Sequence, residues 1–474
     1  MELDRKTKIV CTIGPATNTE EMIEKLILAG MNVARLNFSH GNHKEHQEVI
    51  EIIRKVSKKL NTHVGILADM KGPEIRTGTF QNGSFTYERD DVIKIFKKDV
   101  IGNEEGFHIN VKELFHDLSI GNTILIDDGK IKLTVLEVRE DYLVCKVMNK
   151  GIIKNHKGVN TPGVHISMPF VSKKDSQDLT FAVEMNVDMI ALSFVRTAQD
   201  VLQIRSILNF LDGNYIELIS KIESQQAMDE LENILKASDG IMVARGDLGV
   251  EVSTQAVPLY QKRMIAKANE MGRPVITATH MLESMVHTPR PTRAEASDVA
   301  NAILDGSDAI MLSGETATGL YPIEAVKTMD IIAKTIEPTI DFENRLQKSI
   351  LTSEKTVNDA IGMSVAQQAL LLDDVKAVFA FTETGGTAKR LCKFRPSVPL
   401  IAITKELKTC HKLSYYWGVT SVFRDDYSDF VSYDRVAVDV AKQIGYQNGD
   451  KIIITSGYLQ QHGSTNTIRI IEIK

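Results

Sequence analysis

Cysteine is scarce and scattered: Cys11, Cys145, Cys392 and Cys410 are the four in 474 residues, and no two form a C-x-x-C pair. That argues against a disulfide framework and against a cysteine-built zinc site. Long apolar runs are also missing. None approaches the roughly 20 residues that a membrane-spanning helix needs, and the opening MELDRKTKIVCTIGP lacks the apolar core of a secretory leader. There is no basic surplus either, since the formal net charge is −6, so a general nucleic-acid binder is disfavoured. No two glycines stand two residues apart and no glycine precedes Lys-Ser or Lys-Thr, so the dinucleotide fingerprint and the P-loop are both absent. A nucleotide, if bound, must be held by arginine, lysine and metal ions. Together these absences point to a protein of the reducing cytoplasm, with no membrane and no nucleic-acid partner.

What the chain does have is alternation. Its length suits about three domains. Short β-branched runs at 8–13, 32–38, 64–68, 188–194, 217–222, 240–244, 274–278 and 308–312 predict strands, with helical patterns at 19–29, 44–60, 176–186, 198–211 and 257–271 between them. Eight strands alternating with helices predict an α/β fold, a (β/α)₈ barrel of parallel strands. The alternation breaks once, where 71–169 shows strand patterns at 92–96, 123–126, 130–136 and 142–147 separated by Asn-Gly and Asp-Asp-Gly turns. This predicts a small β domain inserted in a βα loop, a lid over the catalytic face. Past residue 340 a second α/β pattern starts, with a helix at 359–372 and strands at 377–382, 400–404, 419–423, 451–456 and 467–473. The expected division is 1–70 with 170–340 as the barrel, 71–169 as the lid and 341–474 as a C-terminal α/β domain.

In such a barrel the chemistry collects at the C-terminal ends of the strands, and here those ends are dense in polar groups. Arg35, Asn37 and Ser39 alternate along the second strand and so share a face; they suit an anion beside a monovalent cation, or a buried polar ladder. The third strand runs into Asp69, Met70 and Lys71, then Glu74 and Arg76; alone, this could be a solvated salt-bridged loop. Lys221 and Glu223 share a face at the end of the fifth strand, where a charge is costly unless paired or used. Asp247, between Gly246 and Gly249 after the sixth strand, can join Glu223 in a carboxylate pair of the kind that holds Mg²⁺ with substrate oxygens; a tight turn is the plainer reading of those glycines. Thr279 and His280 end the seventh strand, and Ser313, Glu315 and Thr316 end the eighth. They supply hydroxyls and an acid fit for a proton relay, or helix caps. Structural accidents would scatter to both ends of the barrel, whereas six such clusters fall at one.

These residues stand in motifs that resemble the pyruvate kinase family: KIVCTIGP (8–15), MNVARLNFSH (31–40), KGPEIRTG (71–78), KIES (221–224), IMVARGDLGV (241–250), ATHMLESM (278–285), PRPTRAEASDVANAI (289–303) and SGETA (313–317). The matches keep the family's order from residue 8 to about 330, and the C-terminal part matches more loosely. The resemblance implies phosphoryl transfer from phosphoenolpyruvate to ADP, giving pyruvate and ATP. It implies Mg²⁺ (or Mn²⁺) at Glu223 and Asp247, and K⁺ at Asn37, Ser39, Asp69 and the Met70 carbonyl. Arg35 would contact the transferring phosphate. Lys221 would neutralise it and the enolate oxygen. The Gly246 and Asp247 amides with Thr279 would hold the substrate carboxylate. Arg76, Lys157, Asn37 and His40 would face the nucleotide, and Thr279, Ser313 and Glu315 with water would protonate the enolate.

Two positions depart from the family pattern. Met70 stands where threonine is common, though a backbone carbonyl is all that the K⁺ contact requires; His280 replaces the usual glutamine. Glu74 resembles the K⁺-requiring branch. In the C-terminal domain Thr382, Thr384, Gly385, Gly386 and Thr387 form a hydroxyl- and glycine-rich loop that opens a helix, a ready anion site. The resemblance implies that a phosphorylated small-molecule effector docks there beneath the loop 458–466, and that the chain assembles as a homotetramer. The chain stops at Lys474, so the extra C-terminal domain of some bacterial relatives is not expected. A Mg²⁺-dependent lyase of enolates, or a binding-only sensor on the same barrel, are the competing readings. The lyase would not need the lid, the K⁺ cluster or Lys157, and intact Lys221, Glu223 and Asp247 argue against the sensor.

Overall fold

The computed structural model describes residues 3–428, 430–457 and 465–474. Eight parallel strands, Lys8–Thr12, Val33–Asn37, Gly65–Asp69, Met189–Leu192, Glu217–Ile222, Gly240–Ala244, Val275–Ala278 and Ala309–Leu312, close into a barrel. Each is covered by helices outside and by other strands' side chains inside, so the runs are apolar on both faces; KIVCT, GILAD and AIML are buried at every position. The helices lie close to the predicted ranges because their caps are written locally. Asn42 with Glu45 and Thr292 with Glu295 form capping boxes. One start differs: the helix expected from 176 begins at Lys173, because Ser172 accepts from the Asp175 amide and Asp175 returns the bond.

The β-rich insertion leaves the barrel after the third strand and returns before the helix Lys173–Glu184, at the C-terminal mouth. It holds a six-stranded sheet and a two-stranded one around its own core of residues such as Phe80, Tyr87, Phe107, Ile124, Leu133 and Leu143. The strands at Val92–Phe96, Thr123–Ile126 and Tyr142–Val147 match their patterns, and the one expected at 130–136 runs Ile131–Val138. Ser84–Tyr87, Gly106–His108, Gly151–Lys154 and Val159–Asn160 escape the sequence reading, since none of them holds as many as three apolar residues. Gly72 begins the excursion at φ +68, and a Cβ there would meet the Ser193 carbonyl oxygen at 2.7 Å, so only glycine fits.

The C-terminal α/β unit is a five-stranded sheet, four strands parallel and Thr467–Glu472 an antiparallel edge. It docks against the floor of the barrel, opposite the mouth. The barrel's inner side chains Val10, Val33, Leu67, Met189, Ile219 and Met242 form one apolar cluster with Leu413, Tyr415, Tyr416 and Trp417. Among the described residues no helix is long and apolar enough to cross a membrane.

Candidate active site

At the mouth, polar side chains from consecutive strands meet edge to edge. Parallel register sets Asn37 opposite Asp69. Arg35 donates from Nε to Asp69 Oδ2 at 2.7 Å and from Nη1 to Thr12 Oγ1 at 2.9 Å. The Lys221 ammonium lies 3.6 Å from Asp69 Oδ1 and 2.9 Å from Glu223 Oε1, and donates to Ser193 Oγ at 2.8 Å. Ser193 in turn donates to the Met70 carbonyl at 2.8 Å. The Phe194 amide donates to Glu223 Oε2 at 2.6 Å, from a residue at φ +57. The structure thus brings Arg35, Asp69, Lys221 and Glu223 into one continuous contact, with Met70 reached through Ser193.

Burial sharpens the charges. Asp69 and Glu223 are each 1% exposed. Burial pushes the Asp69 carboxyl up, but the Lys221 ammonium and Arg35 guanidinium outweigh it and hold the group below the usual carboxylate range. Burial pulls the Lys221 ammonium down, but Asp69, Glu223 and Asp247 overcome that and keep it protonated. Glu223 goes the other way. Burial and the nearby Asp247 charge push its carboxyl up to about 7, against the opposing pull of Lys221. Its buried Oε1 has the Lys221 ammonium at 2.9 Å as its partner. Two carboxylates close enough for the charge of one to raise the protonation of the other are a pair that a divalent cation would relieve. Among the described residues no group of three or more His, Cys, Asp or Glu could hold a metal, so the remaining ligands of a Mg²⁺ ion there would be substrate and water oxygens. The Asn37 side-chain oxygen, which accepts from the Ser39 amide at 3.1 Å, joins Asp69 and the Met70 carbonyl in an oxygen-only set that fits a monovalent cation.

The segment read as a tight turn around Gly246 and Gly249 is the helix Arg245–Glu251, placing Asp247 in its first turn. The Gly246 amide donates to Thr279 Oγ1 at 2.9 Å. Thr279 and His280 take φ +67 and +52, a conformation costly for side chains with a Cβ. Arg245 restrains them, donating from Nη2 to the Thr279 carbonyl at 2.6 Å and from Nε to the Ala278 carbonyl at 3.2 Å, while pairing with Asp298 at 2.7 Å.

Other candidates stand apart from this cluster. Arg76 and Lys157 lie in the insertion. Arg76 is forked to Glu74 at 2.8 and 3.1 Å and donates to the His156 carbonyl, and Lys157 pairs with Asp127 at 2.8 Å. His40 follows the second strand, its carbonyl accepting from His46 at 2.9 Å if Nε2 carries the proton. Both Glu315 oxygens accept backbone amides, from Leu282 at 3.0 Å and Ser313 at 2.7 Å, so the side chain ties the ends of the seventh and eighth strands together. Burial raises its carboxyl against those donors. In the C-terminal unit Thr382 Oγ1 accepts from the Gly385 amide at 3.0 Å, Gly385 sits at φ +93, and Gly386 starts the helix Gly386–Lys393. Thr387 shares a hydrogen bond with Thr465 at 2.9 Å, and Thr384 flanks Gly386. Of the loop expected to close over this site, residues 458–464 lie outside the described residues.

Four contributors went unread in the sequence. Thr12 and Ser193 are single hydroxyls in apolar runs, and Arg245 looked like part of a glycine turn. Lys174 stands in the first turn of a helix, yet its ammonium bonds to the Phe38 carbonyl at 3.0 Å and pairs with Asp178 at 2.5 Å. The first polar residue after each apolar run would have flagged Thr12 and Ser193; nothing local flags Lys174.

Comparison with known proteins supplies an independent result. A family model described as the pyruvate kinase barrel domain matches residues 4–326, and one described as the pyruvate kinase alpha/beta domain matches 359–471. Pyruvate kinases of Staphylococcus epidermidis and Staphylococcus aureus are 49% identical over 470 residues, covering 98% of this chain and 80% of theirs. A solved pyruvate kinase structure from Cryptosporidium parvum superposes with a TM-score of 0.95 at 39% identity, covering 99% of this chain and 97% of its own.

Proposed function

The chain belongs to the pyruvate kinase family and is a phosphotransferase, and on that premise we propose how its own residues serve the transfer of a phosphoryl group from phosphoenolpyruvate to ADP. The observation that carries the reading is the contact chain Arg35–Asp69–Lys221–Glu223 at the barrel mouth. Phosphoryl transfer asks for alignment and charge neutralisation more than for covalent help. Arg35, fixed by Asp69 and Thr12, orients the transferring phosphate. Lys221, kept cationic by three carboxylates, neutralises that phosphate and the enolate oxygen left behind. The amides of Gly246 and Asp247 with the Thr279 hydroxyl receive the substrate carboxylate at the head of a short helix. Arg76, Lys157, Asn37 and His40 face the nucleotide, the first two swinging from their present partners Glu74 and Asp127. Thr279 with ordered water delivers the proton to the enolate carbon, with Ser313 and Glu315 behind it.

Glu223 and Asp247 would hold Mg²⁺ (or Mn²⁺), and Asn37, Ser39, Asp69 and the Met70 carbonyl would hold K⁺. When bound, these ions neutralise phosphate and carboxylate charge. The insertion acts as the lid, the loop with Thr382, Thr384, Gly385, Gly386 and Thr387 takes a phosphorylated effector, and the protein works in the cytoplasm as a homotetramer. A coupled assay with phosphoenolpyruvate, ADP, Mg²⁺ and K⁺ tests the reading. Pyruvate should form only with ADP present. Equal pyruvate release without ADP would mean that the phosphoryl group passes to water and that the barrel is a hydrolase, and full activity in K⁺-free buffer would remove K⁺.

A further inference from the structure

The fifth barrel strand carries Lys221 toward the mouth, and its other end is held by a different part of the protein. Glu217, the first residue of that strand, sits at the barrel floor, 3% exposed. Its carboxylate accepts from the Tyr415 hydroxyl at 2.5 Å and from the Tyr416 hydroxyl at 3.1 Å. The Lys389 ammonium closes the cluster as an ion pair with Glu217 and lies 5.4 Å from the centre of the Tyr416 ring. All three partners come from the C-terminal α/β unit. Lys389 stands on the helix Gly386–Lys393, one turn from its start.

The strand between these ends has little freedom. Leu218, Ile219 and Ser220 are fully buried, and hydrogen-bonded strands flank it on both sides. At about 3.3 Å per residue, Glu217 and Lys221 are about 13 Å apart along a stiff element. A shift or tilt at the floor is therefore passed to the mouth rather than absorbed. Asp188 and Asp308 also stand at the floor, just before the fourth and eighth strands, with Arg54 and Arg395 as their partners. The fifth strand differs in carrying both Lys221 and, one residue past its end, Glu223.

We propose that Lys389 and Glu217 form a positioning pair, by which the C-terminal unit holds the floor end of the fifth strand and so fixes Lys221 and Glu223 at the mouth. Neither residue touches substrate. Misplacing a catalytic group by about 1 Å can cost about a hundredfold in rate. The consequence for turnover rests on the role proposed for Lys221.

The test uses the full chain with Lys389→Met, Glu217→Gln and Lys389→Arg. Glu217→Gln keeps a carbonyl for the two tyrosines, so one folded variant remains if Lys389→Met fails to fold. Both charge-removing variants should lower kcat about tenfold with the phosphoenolpyruvate KM changed about twofold or less, because the interaction lost is made to the transferring group. Hydrogen exchange should rise on a peptide covering 217–223, and Lys389→Arg should restore most of the activity. Wild-type kcat in either folded variant overturns the proposal, as does a fall in kcat with unchanged exchange on that strand. Near-wild-type turnover of Lys221→Met in the same assay would instead refute the Lys221 assignment, and the exchange difference alone would then judge the pair.

Discussion

Asp69 serves two cations at once, with one oxygen 2.7 Å from Arg35 and the other 3.6 Å from Lys221. A single carboxylate shared this way fixes the spacing of the two positive groups before any substrate arrives, which is the preorganisation that phosphoryl transfer rewards. Lys221→Met removes a charge whose position is set by Asp69 and Glu223. Turnover should drop by about 10²–10³-fold or more, measured at saturating phosphoenolpyruvate and ADP; a loss below about fivefold would mean that Arg35 and the metal suffice. Met70 gives a contrasting case. Its side chain is buried at 4% exposure while its carbonyl accepts from Ser193. Met70→Thr should therefore leave the K⁺ activation constant within about twofold and cost stability of about 1–3 kcal/mol from lost apolar burial. A large change in K⁺ activation with unchanged melting temperature would show that the side chain, not the carbonyl, sets the ion site.

The end of the seventh strand shows how one element holds another under strain. Thr279 and His280 adopt left-handed backbone, which costs of order 1–3 kcal/mol per residue without glycine. The Arg245 guanidinium spans two consecutive carbonyls there. Lysine cannot make that fork, so Arg245→Lys should raise the phosphoenolpyruvate KM about tenfold by loosening Thr279 while leaving the ADP KM unchanged; an unaltered phosphoenolpyruvate saturation curve would sink this role. Nothing in THML spells such a backbone, since neither Thr279 nor His280 is glycine and the restraint comes from the helix Arg245–Glu251. The same limit explains the other omissions. Buried parallel strands appear as apolar runs, and the first polar residues beyond them mark the mouth, which is why Arg35, Asp69, Lys221 and Glu223 were legible. The contact of Thr12 with Arg35 became visible only when barrel closure set the first strand beside the second. Lys174 acts through a helix whose start depends on the Ser172 cap rather than on the apolar period that begins later. The insertion's short strands are defined by their partners, as Val159–Asn160 is by Thr123–Ile126.

Across the whole molecule, the interface between barrel and C-terminal unit is both apolar and charged, and its histidines make it sensitive to acid. His411 is buried beside Arg54 and His63, with Asp188 at 3.7 Å and Lys412 adjacent. Burial first, then the Arg54 charge and His63, pushes its imidazole down to about 3. The folded state therefore keeps His411 neutral while an unfolded chain protonates it below about pH 6.5, so its contribution is intact above that pH and is lost as pH falls toward 3. The slope approaches about 1.4 kcal/mol per pH unit well below 6.5. Between pH 7.5 and 5.5 the wild-type protein should lose about 1 kcal/mol more stability than His411→Gln, as urea midpoints would register; parallel losses would place the acid sensitivity elsewhere. If the loop 382–387 takes an effector as proposed, this interface is the path by which it would reach the mouth. The helix Gly386–Lys393 follows the proposed effector loop directly and, one turn on, holds Glu217 through Lys389. If fructose 1,6-bisphosphate, AMP or ribose 5-phosphate shifts the phosphoenolpyruvate saturation of the wild-type protein, Lys389→Met should still bind that compound, as its ligand-induced rise in melting temperature would show. The shift in phosphoenolpyruvate saturation should be abolished. Linkage demands the reverse as well: in the wild-type protein phosphoenolpyruvate should change the compound's dissociation constant by the factor by which the compound changes that of phosphoenolpyruvate in equilibrium binding, and not at all in the variant. A full kinetic response in Lys389→Met would mean that the two sites are coupled through another contact of the floor, with Arg395 and Asp308 the next pair to test.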